Sequence, residues 1–111
     1  MGEEGEITVY GDSECKVCTE SKDDLSSATA GKSNIKFKYV DINSEEGQHF
    51  LEHKGIKPGE KTSVPHIQAC KTETQPDGSK KKKCAEVDNY DKEKWKSIKD
   101  DKFPDLSYQE V

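Results

Sequence analysis

Ile7-Thr8-Val9-Tyr10-Gly11-Asp12-Ser13-Glu14-Cys15-Lys16-Val17-Cys18 changes character twice within twelve positions. Its first four residues are β-branched or aromatic, the composition of a strand. Gly11-Asp12-Ser13 then breaks the run with turn chemistry. From about Cys15 to Ala30 the apolar residues Val17, Leu25 and Ala28 are spaced among Lys, Glu and Asp, which predicts an exposed amphipathic helix closed by Gly31. Strand then helix is the first half of a βαβ unit, and two thiols stand where one hands over to the other.

The rest of the chain continues that alternation. Asn34 to Ile42 alternates apolar and polar residues with period two, so it reads as a half-buried strand with Ile35, Phe37 and Tyr39 on one face. Asn43-Ser44 offers a cap to a short helix over Glu45 to Lys54, stopped by Gly55. Ser63 to Cys70 reads as a third strand with Pro65 at its start, a place a sheet tolerates proline. Pro76-Asp77-Gly78 has the chemistry of a three-residue hairpin loop, with Gly78 in the left-handed position, and Lys80 to Val87 is the returning strand. Asp91 to Lys99, with Trp95 and Ile98 three apart, predicts a final helix carrying a narrow apolar stripe. No structure is assigned beyond about residue 102, where Phe103-Pro104-Asp105-Leu106 offers a local pin at most, so the expected organisation is one domain over 1–102 and a C-terminal tail over 103–111. The order is β-α-β-α-β-β-α. Right-handed crossover makes the first two strands parallel, and the last two form an antiparallel hairpin.

Composition bounds what such a domain does. At 111 residues there is room for one modest core, and with 29% hydrophobic against 37% charged residues that core must come from a few dense apolar clusters. A net charge of −5 argues against nucleic acid as a partner. The cations are all Lys, so the planar fork that grips carboxylates and phosphates bidentately is missing. The acidic N-terminus, Met1 to Glu6, lacks the order of a secretory signal, and no apolar run approaches the ~20 residues of a membrane span. The expectation is a cytoplasmic, monomeric protein with no membrane partner. There, four cysteines in a short chain point to redox chemistry or metal binding.

Cys15 and Cys18 sit three positions apart, a spacing that puts both on one helix face and lets the sulfurs close or open a small disulfide ring with little backbone movement. The first lies at the helix N-terminus, where unpaired amides and the dipole favour a thiolate. Cys15 is therefore the expected nucleophile and Cys18, deeper in the helix, the resolving thiol. The alternative is zinc, but a closed tetrahedral site needs four ligands, and no second pair stands at similar spacing. Counting back from the Pro76-Asp77-Gly78 loop sets Gln75 against Ser79 and Cys70 against Cys84, in the non-hydrogen-bonded register where side chains approach most closely. That pair is a candidate structural disulfide, with two reduced strand cysteines as the equal alternative. His49 and His53, one helical turn apart, read as solvent-facing polar residues. His66 either tunes the thiols or points away from them, and Lys80 to Lys83 reads as edge protection of a strand.

Ile7-Thr8-Val9-Tyr10, Cys15-Lys16-Val17-Cys18 and Ser63-Val64-Pro65-His66-Ile67 together resemble a glutaredoxin, in particular the variants of large bacteriophages, over roughly residues 6 to 100. The resemblance implies a thioredoxin-like α/β fold with a four-stranded mixed sheet and an extended final hairpin. It implies a cis Pro65 facing the thiols, a Val64 backbone that pairs with bound peptide or glutathione, and a substrate or glutathione site that also includes Lys16, Val17, Asp88 and Asn89. Two departures stand out. The two glycines that usually follow the fourth strand are absent from Ala85 to Asp91, and Asp12 and Glu14 precede Cys15 where the family has a lysine. The function implied is a thiol–disulfide oxidoreductase that carries electrons to protein disulfides, with ribonucleotide reductase as a client. No cofactor is tightly bound; glutathione is the co-substrate, or a thioredoxin or glutaredoxin reductase the electron source. The alternative is a metal or iron–sulfur module built on the same cysteines.

Overall fold

The structure is a computed structural model, and it describes residues 4–53, 55 and 65–110. The elements follow the expected order: β1 (Glu4–Gly11), α1 (Lys16–Thr29), β2 (Ile35–Asp41), α2 (Glu45–His53), β3 (His66–Thr74), β4 (Lys80–Val87) and α3 (Lys92–Trp95). A 3-10 helix over Lys96–Asp100 and a two-residue strand β5 (Gln109–Glu110) complete the chain. The sheet order is β2-β1-β3-β4-β5, with β1 and β2 parallel and every other neighbouring pair antiparallel.

Alternation along the strands sorts the chemistry onto two faces. Ile7 and Val9 of β1, Ile67 and Ala69 of β3 and Ile35 of β2 form the buried face, packed with Leu25 and Ala28 of α1 and with Trp95 and Ile98. The intervening residues, Glu6, Thr8 and Tyr10 with their partners Lys36, Lys38 and Val40, turn to the other face. There α2 covers only the end holding Tyr10, whose ring stacks on Phe50 with centroids 3.8 Å apart. A chain this polar holds together because most of its buried apolar side chains are gathered into one cluster on one side of one sheet.

Three expectations need correction at the C-terminal end. The sheet has five strands rather than four, because Gln109 and Glu110 pair with Cys84 and Lys83 of β4. The segment beyond residue 102 is likewise not a loose tail: Phe103 is buried in the core, Leu106 and Tyr108 pack against it, and the Tyr108 hydroxyl donates to the Pro104 carbonyl at 2.9 Å. The place for Phe103 is provided by Gly5, where any Cβ would stand 2.5 Å from the ring. The expected final helix is also shorter. Asp91 caps it through the Glu93 amide, and after one turn the chain tightens to 3-10 geometry, whose period of three keeps Trp95 and Ile98 on the same buried side.

The final hairpin follows the turn chemistry. Gln75 N–H donates to the Ser79 carbonyl at 2.7 Å, Gly78 takes φ 91°, and the Asp77 carboxylate accepts from the Ser79 amide and hydroxyl. This register places Cys70 against Cys84.

Candidate active site

The site lies at the C-terminal end of β1. The strand ends at Gly11, the chain turns through Asp12 to Glu14, and α1 begins. Asp12 shapes the turn: its carboxylate accepts the Glu14 amide at 3.1 Å and its carbonyl accepts the Cys15 amide at 3.0 Å. Cys15 is the N-cap residue, with φ −92° and ψ 115°, and its sulfur accepts the Cys18 amide at 3.1 Å. A thiol thus occupies the position usually held by Ser, Thr, Asp or Asn, and the Cys18 amide that would satisfy a capping oxygen is aimed at sulfur instead. Cys15 is half-buried, so its sulfur stands at the N-terminal end of α1 within partial reach of solvent.

Cys18 has the opposite environment. It is fully buried, and burial first, then the neighbouring Cys15 sulfur, push its thiol up from 9.0 to about 12. The two sulfurs are therefore unequal: one is half-buried and accepts the Cys18 amide, the other is fully buried and kept protonated. Both are free thiols here, and their separation of one helical turn lets them close a disulfide.

Two residues around Cys18 were not apparent from the sequence. A Cβ on Gly11 would lie 2.7 Å from the Tyr39 hydroxyl, 2.8 Å from Cys18 Cβ and 3.1 Å from Cys18 Sγ, so glycine is what lets β1, β2 and α1 meet. Tyr39 closes the site from β2. Its own ionisation is pushed up, chiefly by burial and then by Cys18, and Lys22 of α1 lies 5.0 Å over its ring. Only the alternation of β2 hinted at Tyr39; its approach to Cys18 is long-range and has no local signal.

Lys16 and Val17 project outward from the first turn of α1, and Val17, 44% exposed, is the large apolar side chain left in solvent among the described residues. Val64 lies outside the described residues. Pro65 is buried; since β1 pairs Tyr10 with His66, it falls one step further along, opposite Gly11 and at the thiol end of the sheet. Asp88 and Asn89 follow β4 at that same end, both exposed. Asp88 holds His66, whose Nδ1 is 3.0 Å from its carboxylate. His66 itself points to the Tyr10–Phe50 side, its ring 5.0 Å from Phe50, and so away from Cys18. Among the described residues no group of three His, Cys, Asp or Glu side chains could hold a metal ion, and no helix is long and apolar enough to cross a membrane.

Comparison with known proteins agrees with this architecture. The crystal structure of thioredoxin O2 from Arabidopsis thaliana in its oxidized state aligns with a TM-score of 0.58 over 86% of this chain and 72% of that one, at 18% sequence identity. The chain therefore has a thioredoxin-like α/β fold. No protein-family model matches the sequence, and neither does any curated protein.

Proposed function

We propose that the protein is a glutaredoxin-like thiol–disulfide oxidoreductase that reduces protein disulfides. The observation that carries this reading is the asymmetry of the pair, with Cys15 capping α1 and Cys18 buried behind it as a thiol pushed up to about 12. The Cys15 thiolate attacks one sulfur of a client disulfide, forming a mixed disulfide and releasing the other client sulfur as thiolate. Cys18 gives up its proton as it attacks Cys15 Sγ; the second client sulfur leaves as thiolate and the Cys15–Cys18 disulfide remains. Val17 offers an apolar contact to the client beside the nucleophile. Lys16, Val64, Pro65, Asp88 and Asn89 belong, in this reading, to the surface that binds client or glutathione.

Two equivalents of glutathione, or the dithiol of a reductase, return the pair to its reduced form, in a compartment such as the cytoplasm where thiols are kept reduced. The test is a disulfide-reduction assay with glutathione plus glutathione reductase in one arm and thioredoxin reductase in the other. Turnover is expected in one arm, lost in Cys15→Ser, while Cys18→Ser accumulates the mixed disulfide. Absence of turnover in both arms, or full turnover by Cys15→Ser, refutes the assignment.

A further inference from the structure

Cys70 and Cys84 are joined by a disulfide between β3 and β4, at a Cα separation of 4.0 Å. Both residues are half-buried and lie on the sheet face turned away from α1. Pairing across all five strands puts Lys36, Glu6, Cys70, Cys84 and Gln109 in one row. α2 packs on β2 and reaches this face only at the Tyr10 end, so no helix among the described residues covers the row. A groove lies over its β1 side, lined by Glu4, Glu6, Ser33, Lys36, Thr72 and Lys82, and Cys70 forms part of its wall while Cys84 does not.

That placement matters because a thiolate displaces sulfur from sulfur in line, with the nucleophile, the attacked atom and the leaving atom along one axis. The bond runs from β3 to β4, and β1 flanks β3 on the other side. Attack on Cys70 comes from the β1 side, where the groove lies, whereas attack on Cys84 comes from the β5 side; a neighbouring strand pairs at each cysteine, so the groove is what distinguishes them.

We propose that Cys70–Cys84 is a second thiol–disulfide exchange site, whose groove admits a small thiol that attacks Cys70 and expels Cys84. In the first step a thiolate RS⁻ bonds to Cys70 Sγ, the bond to Cys84 breaks, and Cys84 leaves as thiolate and takes a proton from water. In the second, another RS⁻ attacks the RS–Cys70 mixed disulfide, forming RSSR and freeing Cys70. The protein disulfide gains two electrons and two small thiols are oxidised to one disulfide. The hairpin survives the cycle, since backbone pairing holds it from Ile67 against Val87 to Thr74 against Lys80. Gly11, beside Cys18, lies five residue steps along β1 from Glu6, opposite Cys70, about 16 Å of strand at ~3.3 Å per residue. Cys15 therefore cannot reach Cys70 in its own molecule, and this site does not depend on the function proposed above.

The experiment uses the full chain carrying Cys15→Ser and Cys18→Ser, with folding checked by circular dichroism; the parent chain alkylated at Cys15 provides the same test without the substitutions. The protein is held in reduced glutathione under native conditions, quenched in acid, alkylated and mapped by mass spectrometry. Direct attack predicts that a tenfold rise in glutathione speeds loss of the disulfide about tenfold, with the first glutathione adduct on Cys70. A rate independent of glutathione concentration would mean that the bond opens only after unfolding, and overturns the proposal. A first adduct on Cys84 overturns it as well.

Discussion

Replacing Gly11 by alanine tests the packing of the candidate site through the sign of one number. Gly11 has no left-handed backbone angle, since the positive φ values among the described residues belong to Asp101, Gly31, Gly55 and Gly78. At such a position Gly→Ala normally stabilises, by about 0.4–1 kcal/mol, because the unfolded chain loses freedom. Here the new methyl would stand 2.7 Å from the Tyr39 hydroxyl and 2.8 Å from Cys18 Cβ. Ordinary carbon contacts begin near 3.5 Å, so the neighbours must retreat by roughly 0.7 Å. The Tyr39 hydroxyl is the end of a side chain and can swing. Cys18 Cβ is fixed to the first turn of α1 and moves only with the helix. Overpacking of this kind costs about 1–3 kcal/mol, so the substitution should be net destabilising. In urea, where small proteins lose about 1–3 kcal/mol per M, the midpoint should fall by roughly 1 M. The displaced Cys18 should also slow closure of the Cys15–Cys18 disulfide, followed by stopped-flow alkylation. A Gly11→Ala variant as stable as the parent, or more stable, would refute the reasoning, because it would mean that β1, β2 and α1 do not meet at this glycine.

Two further outcomes follow from the same structure. The Cys18 thiol, pushed up to about 12 in the folded protein, ionises from 9.0 upward once unfolded; in that window the folded state keeps a proton the unfolded state has released, so stability present below pH 9.0 is lost as pH rises toward 12. The urea midpoint of the reduced protein should therefore fall more steeply between about pH 9 and about pH 11 than that of Cys18→Ala, and parallel slopes would remove the burial argument. Phe103, only 8% exposed and packed over Gly5, should lose about 3–5 kcal/mol of stability as Phe103→Ala, measured by thermal melting; a change under about 1 kcal/mol would mean the C-terminal segment does not contribute to the core.

Features that depend on neighbours in the chain were legible before any fold was known. β-branched and aromatic alternation placed the four main strands, and the turn before Cys15 put a thiol at the start of a helix, because capping and dipole act within one turn. The Cys70–Cys84 register was legible too, since Pro76-Asp77-Gly78 fixes how the two strands of a tight hairpin align and alternation carries that alignment back to the two cysteines. The remaining features arise from packing between distant segments. Phe103 and the two residues of β5 have no periodicity to reveal them; they are ordered because Gly5 leaves room for a ring and β4 leaves an edge. Tyr39 and Gly11 became neighbours of Cys18 only when β2 lay beside β1 under α1, and His66 turned from the thiols because its place opposite Tyr10 assigned it to the other face. Each of these contacts joins residues distant in the chain, and no local preference encodes a distance that exists only after the sheet and helices have closed on one another.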